Sequence, residues 1–178
     1  METSVMKSVD VTITLGYNQL NLIAQGTQYY ERIGSTIRIH RVIYTVYAST
    51  QSSSTADYIR VSLFYDKFGY TIIGPSSTLQ PFVSQDYDGT LNTTSAYNLP
   101  TPINPDRYIY ICTDRGPVST NPPFVLTRDI PVDLRTVYTK SDTALGLIST
   151  GTLYLGVTTN GVTPPTVGGT CRIYYTDT

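Results

Sequence analysis

Glu31 to Ala48 reads E-R-I-G-S-T-I-R-I-H-R-V-I-Y-T-V-Y-A, and Thr36 to Tyr47 within it is the longest run of β-branched and aromatic residues in the chain. Such side chains crowd a helical turn and pack well on a pleated surface, so the run predicts a strand. Ile37 and Ile39 alternate with Arg38 and His40, but the apolar positions then become Val42, Tyr44 and Val46. The parity changes once. A strand that keeps one face on a core through such a change must absorb an extra residue, which predicts a β-bulge near His40–Arg41 and a bent strand. That strand is the expected spine of a two-sheet sandwich.

Working outward, Lys7–Leu15 sets Val9, Val11, Ile13 and Leu15 against Asp10, Thr12 and Thr14, the period of a half-buried strand. Gly16 to Tyr30 loses the alternation and reads as a loop. After the spine, Ser49–Ala56 is a hydroxyl-rich loop, and Tyr58–Asp66 resumes a strand with Ile59, Val61, Leu63 and Tyr65 on one face. Lys67-Phe68-Gly69-Tyr70 reads as a turn. From Gly74 to Pro105, prolines, glycines and serines interrupt every long element, leaving a connection with room for one short strand or helical turn.

Asp106–Asp114 is a strand with Tyr108, Tyr110 and Cys112 on one face and Ile109 and Ile111 on the other. Arg115–Pro123 reads as a loop and Phe124–Lys140 as a strand, Pro131 marking an edge or a strand start. Ser141–Leu147 reads as a short turn. Gly151–Thr159 places Leu153, Leu155 and Val157 inward and Thr152, Tyr154 and Thr158 outward. Gly161–Gly169 is a Pro/Gly loop, and Thr170–Thr176 closes the chain as a strand. Seven clear strands, an eighth inside the long connection and no segment of helical period predict an all-β chain, a single eight-stranded jelly-roll sandwich of Greek-key type.

A chain of 178 residues and 19.7 kDa can bury about 70% of its unfolded surface, enough for one self-sufficient domain. Cys112 and Cys171 are too few and too far apart for a disulfide framework or a zinc site, and read as buried thiols. Met1–Gly16 holds neither a basic leader nor a continuous apolar stretch, and no run reaches the length of a membrane span, so neither export nor membrane insertion is expected. Charge is sparse and balanced, 12 basic against 13 acidic side chains, so solubility must come from hydroxyls. With 16 Tyr and no Trp, much of the surface offers large, stiff side chains with polar tips, the kind protein interfaces favour.

Nothing reads as a catalytic centre. The one histidine, His40, lies mid-strand beside the expected bulge, without a nucleophile elbow. Asp86-Tyr87-Asp88-Gly89 begins like a calcium loop but lacks the later acidic ligand. Asp129 and Asp133 share a strand face and read as solvated residues, the alternative being a cation at a subunit contact. No enzyme activity, cofactor or metal is expected. Residues 1–30 hold a single basic side chain, Lys7, so Arg32, Arg38 and Arg41 are the local basic cluster. Arg32 and Arg38 share parity and Arg41 does not, so the bulge decides whether they meet on one surface. A nucleic-acid-facing role and structural ion pairing are the two readings.

Five pieces stand in a recognisable order: Leu22-Ile23-Ala24-Gln25-Gly26-Thr27 followed by Arg32-Ile33-Gly34-Ser35-Thr36-Ile37-Arg38-Ile39; Asn104-Pro105-Asp106-Arg107-Tyr108-Ile109-Tyr110-Ile111; Ile130-Pro131-Val132; Gly151-Thr152-Leu153-Tyr154-Leu155; and Arg172-Ile173-Tyr174-Tyr175-Thr176-Asp177. Together they resemble the capsid proteins of small single-stranded DNA viruses with circular genomes that encode a replication initiator, circovirus-like, and the related shell domains of small plant RNA viruses. The resemblance runs from Asn21 to Asp177. It implies a jelly roll that self-assembles as about 60 copies into the smallest icosahedral shell. It further implies packaged single-stranded nucleic acid, a host receptor, and a virion assembled inside the host cell, in the nucleus. Members of that family usually begin with an Arg/Lys-rich arm, whereas Met1-Glu2-Thr3-Ser4 leads almost directly into a strand. The competing expectation is a monomeric jelly-roll module that recognises a carbohydrate or a receptor.

Overall fold

The computed structural model describes residues 5–50, 57–68, 82–85, 91–92, 100–102, 106–139, 148–159 and 165–178. Among them there is no helix. The strands are β1 (Lys7–Ile13), β2 (Gly16–Gln19), β3 (Thr36–Ser49), β4 (Asp57–Asp66), β5 (Phe82–Gln85), β6 (Leu91–Asn92), β7 (Pro100–Pro102), β8 (Tyr108–Val118), β9 (Phe124–Tyr138), β10 (Ile148–Thr150), β11 (Thr152–Thr159) and β12 (Thr166–Asp177). A five-stranded sheet runs in the order β1-β12-β3-β9-β10, a four-stranded sheet in the order β2-β11-β4-β8, and β6-β5-β7 form a small third sheet. The strands pair antiparallel in all three, and one of the two large sheets curls as a half-barrel.

β3 is the middle strand of the five-stranded sheet, and its parity changes where the apolar pattern says it must. Ile37 and Ile39 are fully buried, and so are Val42, Tyr44, Val46 and Ala48. Against β12 the pairing passes from Ile39↔Tyr175 to Arg41↔Tyr174, leaving His40 as the extra residue on β3. His40 does not enter the core, and its Nε2 lies 2.9 Å from Thr176 Oγ1.

The core lies between the two sheets. Beside the β3 residues it holds Cys171, Ile173 and Tyr175 of β12, Ile59, Val61 and Leu63 of β4, and Leu153, Leu155 and Val157 of β11, all with no exposed surface. Each aliphatic side chain buried this way contributes about 1.5–3 kcal/mol of transfer free energy.

Several expected loops carry strands. Gly16–Tyr30 contains β2, and β1 and β2 belong to different sheets although only Thr14 and Leu15 separate them. The corner turns at Gly16, whose φ of 108° is left-handed, and the Asn18 side chain closes it by accepting from Thr14 N at 3.0 Å and donating to Thr14 O at 2.8 Å. β10 and β11 likewise lie in different sheets on either side of Gly151, φ 82°, where a Cβ would collide with Arg135 O and the Tyr65 hydroxyl. These two are the positive-φ glycines of the described residues, and each marks a passage between sheets. β12 begins at Thr166, inside the expected Gly161–Gly169 loop, and β8 continues to Val118. The two large sheets therefore hold nine strands, the seven read as clear plus β2 and β10, while the Gly74–Pro105 connection, expected to hold one short strand, carries the three short strands β5, β6 and β7 of the third sheet. Residues 51–56, Asp86–Gly89 and Ser141–Leu147 lie outside the described residues.

Asn21, in the segment after β2, fastens the sheets to each other. Its buried Nδ2 donates to Thr136 Oγ1 at 2.8 Å and Gly151 O at 2.9 Å, and its Oδ1 accepts from Leu153 N at 3.0 Å. The outward face of the four-stranded sheet is also covered. Phe64 stacks on Tyr154 with ring centroids 5.4 Å apart, and Tyr17, Tyr108 and Tyr110 surround the pair. Tyr154, expected to face solvent, is a member of this buried cluster, and Thr152, expected to do the same, is buried as well. A register shift between Leu63 and Phe64 in the β4–β8 ladder parts the side chains expected together on β8: Tyr110 joins the aromatic cluster and Cys112 packs on the main core.

Candidate functional site

The three arginines singled out as a basic cluster do not share a surface. Arg32 is buried, with no exposed surface. Its Nε donates to Ile23 O at 3.1 Å, its Nη1 to Gly34 O at 2.5 Å, and its guanidinium sits 4.1 Å above the Tyr138 ring. These contacts pin the segment between β2 and β3 to the end of the sandwich. Lys7 Nζ donates to Glu31 O at 2.7 Å and pairs with Asp177, whose Oδ1 accepts from Ile33 N at 2.9 Å, tying β1 and β12 to the same segment. Burial pushes the Arg32 pKa down from its ordinary value, while the nearby Tyr138 ring and Asp177 favour the charge. A cation so enclosed cannot meet phosphate, which corrects the nucleic-acid-facing reading for Arg32: the bulge does not bring it onto one surface with Arg38 and Arg41.

Arg38 and Arg41 are exposed on the outer face of the five-stranded sheet, as the bulge predicts. Each is bound two-fold by a carboxylate of β9. Arg38 donates to both oxygens of Asp133 at 2.5 and 2.6 Å, and Arg41 to Asp129 Oδ1 at 2.7 Å and to Oδ2. The two aspartates therefore do not pool their charge at a shared cation position. On the same face Arg172 of β12 holds Asp10 of β1 at 2.6 and 2.7 Å. The hydrogen bonds raise the arginine pKa values and hold the three carboxyls below the usual range. Three cations on the adjacent strands β12 and β3 are flanked by three anions on β1 and β9, and these pairs sum to no charge.

Sequence reading missed the buried ions. Arg60 on β4 alternates with Ile59 and Val61 and reads as solvent-facing, yet it is buried beside the aromatic cluster, which pushes its pKa down to about 10 through desolvation. Asp66, fully buried at the end of β4, takes both Arg107 donors at 2.9 and 2.7 Å and also accepts from Phe68 N at 3.0 Å. Only the covering residues, distant in sequence, reveal these positions as interior.

Both cysteines are free. Cys171 is buried and its thiol is pushed up to about 12 by desolvation, and Cys112 Sγ lies 3.4 Å from the Tyr44 hydroxyl. Among the described residues no group of three or more His, Cys, Asp or Glu side chains comes together. No helix there is long and apolar enough to cross a membrane. Searched against known proteins, the chain matches no family model and no curated protein.

Proposed function

We propose that the chain is a structural viral capsid protein, a single jelly-roll unit whose copies close into a small icosahedral shell around a genome. The observation that carries this reading is the strand order. β1-β12-β3-β9 lies against β2-β11-β4-β8, with sequence neighbours β1 and β2 in opposite sheets and β10 as an additional edge strand. Such a crossing arrangement supports a double Greek key of the jelly-roll kind over the meander of an up-and-down barrel. The ordered resemblance from Asn21 to Asp177 supports the same reading.

The role is mechanical. Tyr29, Ile33 and Val125 are each more than half exposed, and surface of this kind gains by being covered with other copies. Assembly of about 60 copies through heterologous contacts around closed symmetry axes gives a shell of about 1.2 MDa. No cofactor takes part. The packaged molecule is single-stranded nucleic acid, the virion forms in the nucleus of the host cell, and the loops face neighbouring copies or a host receptor. Arg38 and Arg41 contact a genome in this reading only where phosphate displaces Asp133 and Asp129, and Arg32 takes no part.

The test is the particle mass of the purified protein at neutral pH, by light scattering with negative-stain imaging. Uniform round particles in the megadalton range are expected. A monomer of about 20 kDa that persists across salt and calcium conditions overturns the reading and favours a monomeric binding module.

A further inference from the structure

The outer face of the five-stranded sheet carries a row that alternation alone does not disclose. Thr12, Thr170, Thr45 and Thr127 are successive cross-strand neighbours on β1, β12, β3 and β9. All four lie on the face away from the core, and the hydroxyls of Thr45 and Thr127 bond at 3.1 Å. The strands thus set hydroxyls at intervals of about 4.8 Å along a line perpendicular to the chain direction.

Two residue pairs along the strands from Thr45 and Thr170, and so on the same face, Tyr47 stands opposite Gly168. A Cβ at position 168 would collide with the Tyr47 hydroxyl and Cζ, so the glycine is what lets the ring lie down across β12. Tyr47 is 50% exposed, so the ring pressed on the strand offers its other side to solvent. The ring and three of the row, Thr12, Thr170 and Thr45, line a groove of ≈ 500 Å³, and a second of ≈ 320 Å³ continues it toward Asp10, Arg172 and Tyr174, the two sharing Thr45 and Thr170. Arg172 is the one cation of this lining, and Asp10 neutralises it two-fold.

We propose that this groove binds an uncharged oligosaccharide lying across the strands. A flat aromatic face receives the C–H side of a sugar ring, while a line of hydroxyls that both donate and accept suits the hydroxyls along a sugar chain. Charge decides against a polyanion: a nucleic acid or sulfated glycan requires net positive lining, and the groove has none to give. The site does not depend on the shell reading, since every lining residue belongs to one copy.

The test is saturation-transfer NMR and calorimetry on the purified full chain with neutral hexasaccharides of glucose, mannose and N-acetylglucosamine. Heparin hexasaccharide and a short oligothymidylate serve as charged comparators. Particle mass is read on the same samples, so failure of the shell reading and failure of the groove are scored separately. At least one neutral sugar is expected to bind. Tyr47→Ala should weaken it about five- to tenfold, Tyr47→Phe should retain it, and Gly168→Ala, which lifts the ring without deleting it, should weaken it as well. Thr170→Val tests the row, and circular dichroism confirms that each variant is folded. Binding of the charged probes alone, binding unaffected by Tyr47→Ala, or no saturation transfer to any neutral sugar overturns the proposal.

Discussion

Asp129 takes both donors of Arg41 from the neighbouring strand, Nε to Oδ1 at 2.7 Å and Nη2 to Oδ2. The pair is a diagonal neighbour across the β3–β9 ladder, since Arg41 stands opposite Pro131 and Asp129 opposite Ile43. With the Arg38–Asp133 pair four residues along β9, it matches each exposed arginine of an apparently basic strand with a carboxylate.

Removing the two carboxylates should therefore uncover the cations. Asp129→Asn with Asp133→Asn is expected to leave the melting temperature nearly unmoved, because exposed pairs add little to stability. Affinity for oligothymidylate at low salt should rise and fall again as salt is added. Fluorescence anisotropy measures this, and an affinity equal to that of the parent chain would show that the aspartates do not mask the arginines.

Arg32 and Arg38 should answer oppositely to the same substitution. Arg32→Leu leaves the carbonyls of Ile23 and Gly34 without their buried donor. The expected loss is about 2–4 kcal/mol, or roughly 5–15 °C in melting temperature. Arg38→Leu removes an exposed pair and should scarcely shift it. Thermal melts in one assembly state compare the two, and equal effects would contradict the burial difference.

Acid should weaken the fold through its paired carboxylates. Asp10, Asp129 and Asp133 have folded pKa values held down by hydrogen bonds from Arg172, Arg41 and Arg38. Unfolded aspartates titrate near about 3.9, so between that value and the lower folded ones the unfolded chain binds protons that the folded chain does not. Their contribution is present above the unfolded pKa and is lost as pH falls through the folded pKa. Because the three pairs are solvent-exposed, their share of the drop in urea midpoint between about pH 5 and pH 2 should be small, and the variant carrying Asn at 10, 129 and 133 should lose that small share alone. An acid slope much shallower in the variant than in the parent chain would contradict the small contribution of these exposed pairs.

Cys171 should resist thiol reagents until the chain unfolds. Burial pushes its thiol up to about 12, and it sits at the centre of β12 with no exposed surface. In a Cys112→Ser background, a disulfide reagent at about pH 8 should label almost nothing natively and one thiol per chain in guanidinium. Rapid native labelling would place Cys171 outside the core.

The chain's own alternation determined much of the fold, because side-chain parity belongs to sequence neighbours. β1, β3, β4, β9 and β11 are legible in it, and so is the bulge at His40, since Ile39 and Val42 cannot face one core without an extra residue between them. What alternation does not carry is the identity of the neighbour across the ladder. Asp129 is 88 residues from Arg41 and Asp133 is 95 from Arg38, so only strand order turned those cations into neutral pairs. Arg32 reads like Arg38 in sequence, yet it lies beneath Tyr138 because segments distant in the chain close over it. Tyr154 was buried in an aromatic cluster with residues of β2, β4 and β8, and Gly16 and Gly151 became corners through their left-handed φ. Local pattern set which way each side chain points along its own strand. The tertiary structure decided what it meets there, because opposing charge, covering rings and cross-strand rows come from residues that only folding brings within a few ångströms.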